Sequence, residues 1–570
     1  MKSKGIENWY SCDFETITDI ENGKRYARVW LWVITNVADN SKFYTGTTIE
    51  SFIQKLRSFK NPIRCFFHNL KFDGSFILPA LHSKGFVYND ERKKLNKKEF
   101  TCRIVNNIWY SITFLNSNGK YIDINDSLKL CPFSVEQIAK KLGYPYKTCI
   151  DYIAYRPKDY KPTQKEIDYC YRDTEIVAKM LKDFAERGID KLTISSSAMS
   201  IFKNQSNCNY KEMFPELDNQ TDSFLRNAYR GGFCFVNPEY ACKEVGKGGV
   251  IDVNSLYPSR MRNCPMPYGE PLYYEGENPF TNYLFVQHIK TIYKLKKGFL
   301  PTLMKKSYMK SKIEYSIGSA GELEDLYLSG PDLELFLKHY DIEYINYVDG
   351  YAFASTEVMP EQINPLVTYV DRFVKEKIEA SIKGDLISRT TSKLFLNSLY
   401  GKFASRLSGS HSIPLFEDKM IFTESEEEDL QKFYLPVAIF TTAYGRLLTI
   451  LTAQKIYEEG KFLYSDTDSI HFLDYNEEDL KEKGIEIDDN ELGKWKFESK
   501  FKRAKFLRQK TYIEETEKGI EVHCCGMPKS CYEKVNFDNF KIGSTYSGKL
   551  QQRRITNGVE LVETEFCIKE

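Results

Sequence analysis

Residues Phe462-Leu463-Tyr464-Ser465-Asp466-Thr467-Asp468-Ser469-Ile470 place two aspartates one residue apart at a turn, with apolar residues on both sides. Such arms can be buried as a hairpin whose tip keeps both carboxylates together, and this constrains the fold more than any other segment. An Asp-x-Asp turn alone also fits a structural role, because aspartate bonds to its own backbone in turns. Upstream, Ile251-Asp252-Val253-Asn254-Ser255-Leu256-Tyr257-Pro258 follows a glycine-rich stretch and offers a further aspartate. Between the two, Lys393, Asn397 and Tyr400 stand at i, i+4 and i+7 of a helical segment, with Leu396 and Leu399 on another face. A cation, an amide and an aromatic ring on one face can grip a triphosphate and stack on a base. The same pattern fits an ordinary amphipathic helix.

A second set of carboxylates precedes these. In Ser11-Cys12-Asp13-Phe14-Glu15-Thr16 the strand period puts Asp13 and Glu15 on one face and turns Phe14 into the core. Two carboxylates facing one way repel unless a divalent cation lies between them, although Asp-x-Glu alone also fits a solvated strand. The segment His68-Asn69-Leu70-Lys71-Phe72-Asp73-Gly74 adds a carboxylate at a turn, and Tyr169 and Asp173 share a helix face. Three separated carboxylate sites plus a tyrosine able to orient water suit two-metal phosphodiester hydrolysis.

Charge does not identify the partner. The 570 residues carry 80 basic and 79 acidic side chains, for a net charge of +1. A nucleic-acid reader of this composition must segregate its charges. The fourteen cysteines form no C-x-x-C pair, so free thiols are expected rather than a zinc module. Met1–Tyr10 has no apolar signal core and no run approaches about 18 consecutive apolar residues, so a soluble cytoplasmic protein is expected.

Along the chain, 9–80 reads as strands and turns, and 162–187 as a helix opened by the capping box Thr163 to Glu166 and closed by Gly188. Strands and turns are expected again over 196–265, helices over 360–404, and a strand-rich block over 436–540. The stretch 405–435, with Ser408-Gly409-Ser410 and the acidic run 424–429, reads as an exposed hairpin or loop.

These residues together resemble the family B DNA polymerases, and within them the protein-primed branch of small tailed bacteriophages. D-F-E-T (13–16), H-N-L-K-F-D-G (68–74) and Y-x-x-x-D (169–173) resemble the three exonuclease motifs. D-x-x-S-L-Y-P (252–258), K-x-x-x-N-S-L-Y-G (393–401) and Y-x-D-T-D-S (464–469) resemble polymerase motifs A, B and C. Tyr229-Arg230-Gly231-Gly232 resembles the Y-x-G-G link between the two activities, and Lys510-Thr511-Tyr512 the K-x-Y element. The motifs fall in family order across nearly the whole chain.

The resemblance implies an α+β multidomain fold. A ribonuclease H-like 3′-5′ exonuclease domain would cover 1–195, the palm 196–265 and 436–540, the fingers 358–404 and the thumb 541–570, with two terminal-protein-region insertions at 266–357 and 405–435. It implies DNA-directed DNA polymerase activity with proofreading, protein-primed initiation and strand displacement during replication of a linear phage genome. Two Mg²⁺ ions would serve each active site, replaceable by Mn²⁺. Asp252, Val253, Asp466 and Asp468 would hold metal for synthesis, and Asp13, Glu15, Asp73 and Asp173 for hydrolysis, assisted by Tyr169 and Lys147. Ser255, Leu256, Tyr257, Lys393, Asn397 and Tyr400 would bind the nucleotide. Thr16, His68, Asn69, Phe72, Ser127, Leu128, the Tyr229–Gly232 link, Arg508, Lys510 and Tyr512 would contact DNA. The implied partners are primer-template and single-stranded DNA, deoxynucleoside triphosphates and a terminal protein, with no membrane, for a monomer in the cytoplasm of an infected bacterium. Two features depart from the pattern: Ser465 stands where glycine or cysteine is usual, and the run 424–429 would repel a phosphate backbone. A nuclease alone would account for 1–190 and leave the later motifs unexplained. A scaffold with decayed sites would not keep every expected carboxylate. A polymerase making RNA, or copying it, would share the palm aspartates, and primer extension separates it.

Overall fold

The computed structural model describes residues 5–569 apart from 92–93, 145–149, 152–153, 206–208, 306–313, 406–407 and 431. The N-terminal third is built on an eight-stranded sheet. Its spatial order is Phe43–Gly46, Lys24–Asn36, Trp9–Glu21, Ile63–Phe67, Tyr121–Asp126, Ile108–Leu115, Glu99–Val105 and Val87–Tyr88. Trp9–Glu21 runs antiparallel to Lys24–Asn36 and parallel to Ile63–Phe67, which runs parallel to Tyr121–Asp126. The central strand thus carries Asp13 and Glu15 while helices cover the faces. One of them, Gln164–Glu186, begins at the expected capping box, with Thr163 and Glu166 bonded reciprocally, and Gly188 follows it at φ 78°. It is tied to the sheet by a 2.6 Å hydroxyl bond between Thr35 and Thr174.

The expectation of strands and turns over 196–265 holds only from Cys234 to Val253, since helix Leu256–Asn263 closes the stretch. Helices Ile194–Gln205, Tyr210–Met213 and Asn219–Arg226 come first. The asparagine and aspartate that read as turn residues are helix caps: Asn209 accepts from the Lys211 amide, and Asp218 from the amides of Gln220 and Thr221.

The second centre is a five-stranded antiparallel sheet in the order Trp495–Phe501, Gly248–Val253, Ser469–Leu473, Phe462–Asp466 and Cys234–Val236. The expected strand-rich block over 436–540 is corrected at its start, where Leu435–Tyr457 is a 23-residue helix behind this sheet. Its residues are apolar on all sides and rich in threonine and isoleucine, so no 3.6-residue stripe marks it. Thr441 and Thr442 bond back to the carbonyls of Val437 and Ala438. By length and composition this is the one helix, among the described residues, that could cross a membrane, yet most of its apolar stretch is buried inside the protein.

Helices Pro365–Ile382 and Leu386–Phe403 pack beside the palm sheet's helices. Between the Asp252 strand and these helices lies a four-stranded sheet, Pro267–Glu275, Tyr340–Ser355, Leu284–Leu295 and Glu324–Ser329, covered by helix Gly330–His339. It has its own apolar cluster around Ile289, Tyr293, Leu328, Leu333 and Phe336, whereas Leu335 of the same helix enters the palm core. The stretch 405–435 forms the hairpin Ser412–Phe416 with Met420–Glu424, as read. Its apolar side docks on the N-terminal domain, with Phe416 stacked on His82 at 4.3 Å and Met420 in that domain's core. The chain closes with the hairpin Thr545–Ile555 and Gly558–Cys567.

One buried ion pair joins these pieces. Arg446 of the long helix donates to both carboxylate oxygens of Asp332 at 2.9 and 2.7 Å, and to the carbonyls of Arg230 and Gly231 at 2.7 Å each. The arginine is 1% exposed, so removing its partner leaves an uncompensated charge indoors. Asp332→Ala is expected to lower unfolding stability by about 3–5 kcal/mol, and Asp332→Leu with Arg446→Met to recover most of it, as read by urea unfolding.

Candidate active sites

At the palm sheet the hairpin reads as expected. Thr467 takes φ 64° at the tip, and its amide donates to the Phe233 carbonyl at 2.6 Å. Asp252 lies on the neighbouring strand opposite Ser469, and the Val253 amide donates to the Asp468 carbonyl at 2.8 Å. Backbone bonds therefore hold the Asp252 and Asp468 carboxylates towards one place. Burial, then the charges of Asp468 and Glu498, push Asp252 up to about 7, opposed by Lys393 and Lys496. Burial likewise raises Asp468. The Lys510 ammonium lies 2.8 Å from Asp466, and the Lys510 amide donates to the Tyr464 hydroxyl. Tyr512 packs between the rings of Tyr464 and His523, at 5.3 and 4.5 Å.

Above these groups the helix Leu386–Phe403 presents Lys393 and Asn397 outward and buries Leu396 and Leu399, the division read from the spacing. The rings of Tyr257 and Tyr400 meet at 4.3 Å. Ser255 opens helix Leu256–Asn263 in the left-handed region at φ 56°, which turns the chain sharply after Asp252 and lets Leu256 pack into the palm core. Gly232 leaves no room for a side chain, since a Cβ there would stand 2.7 Å from the Tyr257 hydroxyl and from Thr467. Tyr229 packs at the edge of the core, while the Arg230 guanidinium donates to the carbonyls of Ala228 and Tyr327, so its contacts run to backbone. Arg508 donates to the Lys569 carbonyl at 3.1 Å.

At the N-terminal sheet, Asp13 and Glu15 come together with the Cys170 thiol, one ligand atom of each lying within 4.8 Å of the others. Asp73, on helix Leu70–Ser83, is 4% exposed and its Oδ1 has no hydrogen-bond partner. Burial and the Asp13 charge push it well above the usual carboxylate range. A buried carboxylate oxygen with no donor, beside two more carboxylates, fits a divalent cation. Tyr169 and Asp173 lie on helix Gln164–Glu186, the tyrosine buried. Thr16, Phe72 and Leu128 are partly exposed around this place. His68 spans Ser127 Oγ at 3.0 Å and the Phe133 carbonyl at 2.6 Å, and burial lowers its affinity for a proton. Lys147 lies outside the described residues.

Four contributors escape a reading of the sequence. Asp126 accepts from the amides of Asn69 and Leu128 at 3.1 and 3.0 Å, which fixes Asn69 in its left-handed turn; the Asp-Ser-Leu run could have signalled this cap. Glu498 and Lys496 face Asp252 from a strand of alternating charge that carries no motif. Cys170 is hidden inside Y-x-x-x-D.

An acid whose pKa is higher in the folded than in the unfolded chain binds more protons when folded, so its cost appears as pH rises. For Asp252 that window runs from the ordinary 3.8 to about 7. In EDTA, Asp252→Asn is therefore expected to raise Tm at pH 8, by about 1 °C per kcal/mol relieved in a chain of 570 residues, and to gain little at pH 4. Differential scanning calorimetry at both pH values checks it; an equal gain at both contradicts the charge argument.

The family profile of DNA polymerase type B, organellar and viral, matches residues 152–487. The DNA polymerase of Bacillus phage phi29 is 36% identical over 98% of this chain and 99% of its own. That of Streptococcus phage Cp-1 is 33% identical over 99% of each. A solved structure of the phi29 enzyme complexed with primer-template DNA and incoming nucleotide substrates is similar at a TM-score of 0.89, over 98% of this chain and 100% of that one.

Proposed function

From the premise that this chain belongs to the type B DNA polymerases, organellar and viral, and is a DNA-directed DNA polymerase, we propose that it copies a linear phage genome from a protein primer and proofreads with a separate 3′-5′ exonuclease. The observation that carries this reading is the pair of carboxylate clusters, one on each sheet, each with an acid raised first by burial and then by a neighbouring carboxylate. The relative's structures with primer-template DNA, single-stranded DNA and incoming nucleotides support the same partners here.

In synthesis, Asp252 and Asp468, with the Val253 carbonyl, would hold two Mg²⁺ ions, or Mn²⁺ in their place, while Lys510 steadies Asp466. Bound, the ions supply charge stabilisation of the attacking and leaving oxygens. Lys393 and Asn397 reach the triphosphate from the exposed face of their helix, with the Ser255 and Leu256 backbone at the turn below. Tyr257, walled by Gly232, Gly445 and Tyr400, lies beneath the sugar and leaves no room for a 2′-hydroxyl. Tyr512 and Lys510 contact the primer terminus, with Arg508 and the Tyr229–Gly232 link along its strand. In proofreading, Asp13, Glu15, Asp73 and Asp173 would hold the ions, Tyr169 and Lys147 assist, and Thr16, His68, Asn69, Phe72, Ser127 and Leu128 grip the frayed strand. The domain limits read from the sequence, and a monomer acting in the infected bacterial cytoplasm, belong to the same proposal.

The two activities should separate. Asp13→Ala with Asp73→Ala is expected to cut single-strand degradation on the order of 10³-fold, about 4 kcal/mol, while primer extension persists. Asp252→Ala or Asp468→Ala should do the reverse, and loss of both activities in one folded single-site variant contradicts two separate centres.

Protein priming rests on the inserted region between motifs A and B, which exposes Leu323 just before a strand, Leu337 on the covering helix and Tyr344 on a strand. A folded apolar surface there suits a terminal protein whose hydroxyl receives the first nucleotide. Deleting this region with its helix Gly330–His339 would strip Asp332 and Leu335 from the palm, so surface changes are the cleaner test. Leu323→Asp with Leu337→Asp and Tyr344→Asp is expected to reduce the radiolabelled terminal-protein adduct about 10-fold or more while ordinary extension persists. An unchanged adduct yield removes this surface from the priming reaction.

A further inference from the structure

Cys170 is one of several thiols buried beside charged chemistry, but it alone, among the described residues, stands in a three-residue ligand group with two carboxylates of the proposed exonuclease. Its Sγ lies 3.8 Å from Asp13 Oδ2 and 3.8 Å from the Asp13 carbonyl, and the residue is 0% exposed. Helix geometry puts it there: one residue after Tyr169 and three before Asp173, it points from the same helix onto the Asp13 strand. Bond lengths of about 2.3 Å to sulfur and 2.1 Å to oxygen at a tetrahedral zinc place such ligand atoms about 3.6 Å apart. The Cys170 to Asp13 spacing matches without rearrangement, and Glu15 lies within 4.8 Å of both. A second feature points to a ligand independently: the Asp73 carboxylate, whose strongest charged neighbour is Asp13, is 4% exposed with an unpartnered Oδ1.

The geometry points to a thiophilic-cation site superimposed on the exonuclease centre, in which Asp13, Glu15 and the Cys170 sulfur chelate Zn²⁺ or Co²⁺. This rests on the exonuclease reading for its consequence, not for the binding itself. Mg²⁺ is hard and takes oxygen, so in its presence the sulfur is a bystander. Zinc gains a sulfur bond that magnesium cannot use. On binding, the thiol proton leaves to solvent and the sulfur takes the metal; no redox partner is involved. A zinc ion held by the sulfur, Asp13 and Glu15 occupies carboxylates that the working ions need, so trace zinc should stall strand degradation selectively. The palm has a thiol too, Cys234 opposite Asp466, but no third ligand of this kind groups with it among the described residues.

Cobalt titration of the full-length protein, without DNA, reads the site directly through sulfur-to-cobalt charge-transfer absorption. The wild type should show a band that zinc abolishes and excess Mg²⁺ does not. Cys170→Ser should lose it, Asp13→Asn and Glu15→Gln should each weaken cobalt affinity, and Cys234→Ser should retain it. Loss of even an outer-shell partner costs about 10- to 100-fold in metal affinity, so the serine variant should lose at least that much. A band surviving in Cys170→Ser, or lost there but indifferent to Asp13→Asn and Glu15→Gln, overturns the chelate. In a parallel assay the ratio of degradation with and without micromolar zinc, under saturating Mg²⁺, should fall in the wild type and stay near one in Cys170→Ser. An equal ratio in both overturns the functional consequence. Absence of degradation under Mg²⁺ alone would instead refute the exonuclease reading and leave the cobalt result standing.

Discussion

Asp252 and Asp468 are held on neighbouring strands by the bond from the Val253 amide to the Asp468 carbonyl, and Asp13 and Asp73 converge from a strand and a helix. In both places charges that repel are kept together by backbone structure rather than by any attraction of their own. Burial, then repulsion from nearby carboxylates, raises Asp252 in one cluster and Asp73 in the other, a cost that a bound cation would relieve. The surrounding elements make that repulsion tolerable. The palm strands and the Asp-x-Asp hairpin fix one set, while the parallel strands and the capped helix Gln164–Glu186 fix the other.

Arg446 joins the inserted region to the chain beside the five-stranded sheet. Its guanidinium reaches Asp332 on the helix that covers the inserted sheet and the carbonyls of Arg230 and Gly231, two residues of the Tyr229–Gly232 segment. Gly232, the next residue, passes so close to Tyr257 and Thr467 that only hydrogen fits. One buried ion pair thus links the helix of the inserted region to the backbone beside Tyr257 and the hairpin tip.

What the sequence made legible was local. The strand period put Asp13 and Glu15 on one face, a capping box located the helix with Tyr169 and Asp173, and helical spacing set Lys393 and Asn397 outward from Leu396 and Leu399, while Tyr400, expected on the same face, packs against Tyr257. The long helix Leu435–Tyr457 was hidden because it is apolar all round, and the short helices before the palm because their caps read as turns. The Arg446 to Asp332 pair joins residues 114 apart with no motif at either end. Asp126, Glu498 and Cys170 act through tertiary placement: each is unremarked in its own segment and acquires meaning only from what folds against it.

The central claim is that each carboxylate cluster is held together for divalent cations. Anomalous diffraction at the manganese edge, from crystals of the full-length chain soaked in Mn²⁺, tests it most directly. Density is predicted at two places, one bounded by Asp13, Glu15 and Asp73 and one by Asp252 and Asp468. A crystal with open solvent access to both clusters and manganese at neither, or at only one, would contradict the account.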